Sequence, residues 1–263
     1  MAAFLSRLKA SIDRSGSPLC VGLDPDPAKI PAKFGRGAEG ATKFLEEIII
    51  ALWPKVAAFK PNTAFFEAYG SGGWLALERL RIACPPEVVW LVDAKRGDIE
   101  HTNESYARAI FDGLGADAVT VQPYLGMAAL EPFWRHSDKG VFVLCATSNA
   151  SASLIQELPV GERKLYQEIA HQVKAANLNG NMGLVVGTTK PEALDSILSF
   201  APELPLLLPG SGAQGGSTDV MQKVKASGGT ALLNVSRSVL YASSGDDCIE
   251  AAKKEVEKLR SGL

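Results

Sequence analysis

Histidine and cysteine are scarce and scattered in this chain, and that scarcity removes several chemistries at once. Among 263 residues there are three histidines and four cysteines. Cys20, Cys84, Cys145 and Cys248 are far apart, and no CxxC or Cys/His pair has zinc-ligand spacing, so neither a disulfide framework nor a zinc site is expected. Cys20 and Cys145 sit in apolar runs and read as small core residues, which suits a reducing cytoplasm. His101, His136 and His171 fall away from the ends of apolar runs and read as surface residues rather than ligands. A charge excess is missing too: 27 Lys and Arg face 29 Asp and Glu, for a net charge of -2. That balance gives no electrostatic reason to expect nucleic acid or an anionic membrane as partner. No apolar run approaches the roughly 20 residues of a membrane span. Met1 to Arg14 is amphipathic through Phe4, Leu5, Leu8 and Ile12 and lacks the apolar stretch of a signal peptide.

Short β-rich runs are abundant. Leu19–Leu23, Val56–Phe59, Val88–Val92, Ala118–Val121, Val141–Cys145, Leu184–Val186, Leu206–Leu208 and Ala231–Val235 are continuously apolar, as strands covered on both faces are. Helical patterns fall between them, at Ala38–Leu52, Asn103–Leu114, Glu162–Ala176 and Asp247–Leu259. Pro132 and Pro191 stand where helices begin. Eight strand–helix alternations predict a (β/α)8 barrel, a fold of about 250 residues. The expectation is one α/β domain over residues 1–263, with a short N-terminal helix. A doubly wound open sheet is the alternative. It places its Gly-rich loop after the first strand, whereas here Pro209–Gly216 follows the seventh run, where barrels hold phosphate.

In a barrel the residues just past each strand gather at the C-terminal mouth. Here they are Asp24, Lys60, Asp93 and Lys95, Gln122, Ser148, Pro209 to Gly216, and Ser236-Arg237. The densest stretch is Asp93-Ala94-Lys95-Arg96-Gly97-Asp98. Side chains alternate along a strand, so Asp93 and Lys95 share a face while Asp98 falls in the loop beyond. Any one of these charges alone reads equally as a surface ion pair. Together, Lys60 and Lys95 among Asp24, Asp93 and Asp98 form an alternating set in which acids keep the lysines protonated. A protonated lysine beside a reacting carbon is a general acid. The Pro209–Gly216 loop with Gln214, followed one strand later by Arg237, suits a phosphate monoester, although a Gly-rich loop alone is also a simple turn. Ser148 could read a polar ring edge, and both Ser148 and Thr102 are also candidate helix caps.

Asp93-Ala94-Lys95-Arg96-Gly97-Asp98-Ile99 followed by Thr102 resembles the signature of the orotidine 5'-phosphate decarboxylase family. Val21-Gly22-Leu23-Asp24-Pro25, Phe59-Lys60-Pro61-Asn62, Leu208 to Gly216 and Asn234-Val235-Ser236-Arg237 resemble other segments of that family, in order. Pro61–Glu67 and the segment between Cys145 and Gly187 are similar to its longer, bacterial-type branch. The resemblance implies cofactor-free conversion of orotidine 5'-phosphate to UMP in pyrimidine synthesis. It implies Lys95 as proton donor to C6, Asp93 against the substrate carboxylate, and Lys60 completing the array. Asp98 and Thr102 would reach into a neighbouring subunit of a homodimer. Asp24 would hold ribose hydroxyls, Ser148 the pyrimidine, and Pro209, Gln214 and Arg237 the phosphate end. No metal ligand is implied. Two other functions share these features: a Mg²⁺-dependent sugar-phosphate decarboxylase or lyase on a related barrel, and a barrel that binds a nucleotide without catalysis.

Overall fold

A computed structural model describes residues 3–210 and 216–263. Eight parallel strands close into a barrel, in the order β1-β10-β9-β8-β5-β4-β3-β2. They are β1 (Leu19–Leu23), β2 (Ala58–Pro61), β3 (Val89–Arg96), β4 (Ala118–Val121), β5 (Gly140–Ala146), β8 (Met182–Val186), β9 (Leu206–Pro209) and β10 (Ala231–Val235). The remaining two, β6 (Pro159–Val160) and β7 (Arg163–Lys164), form a small antiparallel ribbon between β5 and β8. This is the expected (β/α)8 architecture.

The strand runs read from sequence all lie in the barrel, boundaries move in five of the eight, and two of those shifts bear on the site. The second strand starts at Ala58 rather than Val56 and continues through Lys60. The third continues past Val92 to Arg96, so the charged signature is part of the strand. A polar run looked like a strand end, yet the ladder is carried onward by a bridge between Asn62 and Asp93 and by pairing of Arg96 with Val121. Helix Ser71–Ala83 was not visible as periodicity, because it opens on Ser71-Gly72-Gly73, a loop-like composition. The helix after β3 starts early, at Glu100, and ends in a widened π turn at Ala109–Gly113.

Alternation sorts the strand residues into two cores. Val21, Phe59, Trp90, Val92, Val119 and Val143 point outward and are buried beneath the helical ring, against residues such as Phe44, Ile48, Leu77 and Leu80. Cys20, Ala58, Val89, Leu91, Ala118, Val185, Leu207 and Leu232 fill the barrel interior with Phe4 and Leu8. Those last two come from the first helix, Ala3–Ser15, which covers the N-terminal end of the barrel. Its Ser11 hydroxyl donates to the Ala57 carbonyl (2.6 Å), and Arg14 donates to that of Val56 (2.7 Å). The inward columns change character toward the other end. Above Cys20 the column continues to Asp24, above Ala58 to Lys60, above Leu91 to Asp93, above Ala118 to Thr120, and above Leu232 to Asn234. An apolar floor therefore carries a polar mouth.

Gly140 shows how tightly the floor is built. A Cβ there would lie 2.3 Å from the Phe4 ring, and Phe4 meets Phe142 edge-on at 6.0 Å between centroids. Gly140→Ala is expected to destabilise the fold by about 1–3 kcal/mol through overpacking, and Phe4→Ala by about 3–5 kcal/mol through cavity formation. Because the first clash needs the second ring, the double variant should be less destabilised than the sum. Urea unfolding of the four proteins checks this, and strict additivity would contradict the packing described.

Candidate active site

The polar mouth encloses a cavity of about 540 Å³, lined by Asp24, Lys60, Asn62, Asp93, Lys95, Thr120, Thr147, Ser148, Asn149, Gln156, Pro209 and Asn234 with the apolar Leu144, Val185 and Leu207. Asp93 is its hub. Lys60 Nζ donates to Asp93 Oδ2 (2.7 Å), and Lys95 Nζ donates to Oδ1 (2.6 Å). Thr120 adds its hydroxyl to Oδ1 (2.8 Å). Burial works against the charge of Asp93, but Lys60 and then Lys95 outweigh it and hold the carboxyl well below the ordinary value of 3.8. Burial also works against the charge of Lys60. There Asp93 and then Asp24 prevail, and the ammonium is held above its ordinary 10.5.

The two lysines differ in one decisive respect. The Lys60 side chain is 5% exposed and that of Lys95 48%. Lys60 is a buried counter-ion, while Lys95 presents its ammonium to the cavity. Two ammonium groups flank the carboxylate of Asp93, and Asp24 on the same cavity wall brings the four formal charges into balance. Lys95 also has φ of 48°, the only positive φ of a non-glycine among the described residues. Sequence alternation alone would place Asp93 and Lys95 side by side on a regular strand. They do meet, but through an irregular one, with the β3/β4 register shifting between Val92 and Arg96.

Asp24 lies across the mouth. Ser236 Oγ donates to its Oδ2 (2.7 Å), and Tyr241 Oη donates to its carbonyl (2.8 Å) while accepting from Asp26 N (2.6 Å). Burial pushes the Tyr241 phenol up to about 12, so it remains a donor at neutral pH. Asp24 Oδ1 has no donor among the described residues. Ser148 lines the cavity from the loop after β5 and is not a helix cap, since Asn149 holds the cap position of the next short helix. Pro209 lines it from the end of β9. Arg237 is exposed and opens the short helix after β10. Gln214 lies outside the described residues.

Asp98 and Thr102 are not among the residues lining this chain's own cavity. Asp98 Oδ1 accepts from Ile99 N (2.7 Å), and its backbone is gripped by the fully buried Asn103, whose Oδ1 accepts from Asp98 N (3.0 Å) and whose Nδ2 donates to Asp98 O (2.6 Å). Thr102 sits inside the helix Glu100–Arg108, so it is not a cap either. Gln122, read as a strand-end residue, serves the loop instead. Its Nε2 donates to Gly97 O (2.9 Å) and its Oε1 accepts from Tyr124 N (2.8 Å). A Cβ at Gly97 would lie 2.5 Å from Gln122, which explains the glycine inside the signature.

Thr120, Gln156 and Tyr241 escaped the sequence reading, and Asn62 and Asn234 lie within family-like segments without being singled out for the site. The signal for Thr120 and Asn234 was present: each is a polar residue inside an otherwise apolar run, at the inward phase of its strand. Phe65 is 37% exposed, whereas its neighbour Phe66 is fully buried. His136 and His171 are half-buried, packed on Phe111 and Phe200, and His101 is exposed. Among the described residues no three His, Cys, Asp or Glu side chains form a metal-ligand group.

The family model of the orotidine 5'-phosphate decarboxylase / HUMPS family matches residues 17–258. An orotidine 5'-phosphate decarboxylase of Roseiflexus castenholzii is 46% identical over 264 residues, covering 99% of this chain and 97% of the relative. One of Herpetosiphon aurantiacus is 47% identical over 253 residues, 95% and 94% of the two chains. The solved structure of Leishmania donovani OMP decarboxylase superposes with a TM-score of 0.83 at 39% identity, covering 98% of this chain and 99% of the other. Matched across the barrel and every described strand end that builds the mouth, the chain belongs to the orotidine 5'-phosphate decarboxylase / HUMPS family.

Proposed function

We propose that this protein decarboxylates orotidine 5'-phosphate to UMP in pyrimidine synthesis. The observation that carries the reading is the Lys60–Asp93–Lys95 array, with one ammonium buried and the other presented to the cavity. Breaking the bond between C6 and its carboxylate leaves an electron pair in the plane of the pyrimidine ring, where the ring π system cannot absorb it. Lys95 answers this twice: its charge stabilises the developing carbanion, and its proton goes to C6 as carbon dioxide departs. The neutral amine then regains a proton from solvent, so substrate and one proton become UMP and carbon dioxide. Asp93, held ionised, faces the substrate carboxylate and keeps Lys95 charged until transfer. Lys60 keeps Asp93 ionised.

The other roles follow position. Asp24 takes ribose hydroxyls through its spare acceptor capacity, and Ser148 takes the pyrimidine edge. Pro209, Gln214 and Arg237 take the phosphate, whose binding energy, remote from C6, holds the reacting centre in place. Asp98 and Thr102, which do not line their own cavity, serve the second subunit of a homodimer, each barrel acting as one unit of 263 residues. All four cysteines are buried and unpaired, which fits a cytoplasmic enzyme.

Turnover is followed as loss of orotidine 5'-phosphate absorbance with excess chelator present. Undiminished decarboxylation is expected. A folded protein without turnover would reject the reading, and activity that needs Mg²⁺ would favour the sugar-phosphate lyase alternative. Lys95→Ala should lower kcat by at least about a thousand-fold while UMP binding, read by calorimetry, persists; near-normal turnover would remove Lys95 from its role. The array also sets a pH dependence of stability. The Asp93 carboxyl is depressed on folding, so its contribution is complete above the ordinary value of 3.8 and fades as pH falls through the folded value. The Lys60 ammonium is raised, so its share is complete below 10.5 and fades as pH climbs through the folded value. Asp93→Asn, which strands a buried ammonium, should cost about 3–5 kcal/mol near neutrality. That difference from wild type should be flat from about pH 5 to 9 and shrink in acid. Denaturant melts across pH measure it, and a difference that grows in acid would contradict the assignment.

A further inference from the structure

Thr120 is almost fully buried on β4, 1% exposed, and its hydroxyl touches both members of the signature at once. Its Oγ1 accepts from the backbone N–H of Lys95 (3.0 Å) and lies 2.8 Å from Asp93 Oδ1. The direction of both bonds is determined. An amide N–H can only donate, and an ionised carboxylate can only accept, so the single hydroxyl proton belongs to Asp93. Because Lys95 Nζ reaches the same Oδ1 (2.6 Å), a closed ring results: Lys95 N–H to Thr120, Thr120 to Asp93, and the Lys95 ammonium back to Asp93.

The ring sits where the β3/β4 ladder is interrupted. Val92 pairs with Val119 and Arg96 with Val121, so β3 spends four steps where β4 spends two. Lys95 has no Cα partner on β4 within that stretch, and its φ of 48° is one that a lysine adopts only when its surroundings impose it. A side-chain oxygen stands in for the missing ladder acceptor.

We propose that Thr120 is a positioning residue for the decarboxylation: its hydroxyl locks Lys95 in the left-handed backbone conformation and fixes the Asp93 carboxylate that aims the Lys95 ammonium into the cavity. The proposal rests on Lys95 being the proton donor. Without the hydroxyl, the Lys95 amide loses its acceptor and Asp93 keeps only its two lysines. The lysine backbone is then free to relax to negative φ, and the ammonium leaves its aim.

Two substitutions separate positioning from packing. Thr120→Val keeps the branched shape and removes the hydroxyl, while Thr120→Ser keeps the hydroxyl and removes the methyl. Steady-state kinetics on the full chain, with melting temperature and UMP affinity measured alongside, should show kcat of Thr120→Val reduced about 10- to 100-fold. KM and UMP affinity should stay within about threefold, because a group that aims the proton donor acts mainly on the chemical step. Thr120→Ser should retain kcat within about threefold of wild type. The reverse order, with Val active and Ser impaired, overturns the proposal in favour of packing, as does equal loss in both. If Thr120→Val does not fold, Thr120→Ala removes the same hydroxyl without its bulk and is judged by the same criteria. Absence of turnover in wild type would instead strike the proposed activity itself, so the two failures are distinguishable.

Discussion

Two ammonium groups converge on one carboxylate at the mouth of a barrel whose floor is hydrocarbon, and much of the surrounding architecture answers to that convergence. An isolated buried charge costs several kcal/mol in desolvation, and an imperfect pair does not recover it. Asp93 is therefore supplied with three donors, from Lys60, Lys95 and Thr120, on three adjacent strands. None of those strands could shift register by one residue without turning its member of the array outward. Closure of the barrel fixes the registers, and the array makes them necessary.

The same constraint accounts for the irregularity of β3. A regular strand would put Asp93 and Lys95 on one face but would point both side chains along parallel directions. The array needs them to meet head to head. Two extra residues between Val92 and Arg96 and a left-handed turn at Lys95 supply the bend. The loop beyond is then tied down by Gln122 at Gly97 and by Asn103 at Asp98, neither of which touches the cavity wall. The strained lysine is thus followed by a loop held in place by two side-chain amides.

This explains what the sequence could and could not reveal. Asp24, Lys60, Asp93 and Lys95 were legible because they follow apolar runs, and a barrel gathers the ends of such runs at one mouth. Barrel closure was legible because eight runs of similar length alternate with helical spacing. Asn103 and Tyr241 were not. They act through partners 5 and 217 positions away in the chain, and the type of each is equally common in unremarkable helices and loops. The extension of β3 through Arg96 was hidden for a related reason: polarity marks a strand end only when the neighbouring strands do not bring their own polar partners. Asp98 and Thr102 are the opposite case. Spacing alone said that Asp98 leaves the strand, and only family resemblance gave it a destination.

The unequal exposure of the two lysines turns this static arrangement into a mechanism. A proton donor must reach the substrate, yet a donor fully open to water would spend its charge on solvent rather than on a carbanion. Lys95 occupies the middle ground, half-exposed toward the cavity and tied at one proton to Asp93. Lys60 lines the cavity as well, but its side chain is 5% exposed and its ammonium is engaged by Asp93. In the proposed reaction its part is to keep Asp93 ionised when a second carboxylate, that of the substrate, arrives beside it. Without that buried cation the two acids would share a proton, and the attraction holding Lys95 would weaken just as the carbanion formed. In the proposed reaction, therefore, the buried lysine acts on the chemistry through the charge state of Asp93, and the exposed one through contact.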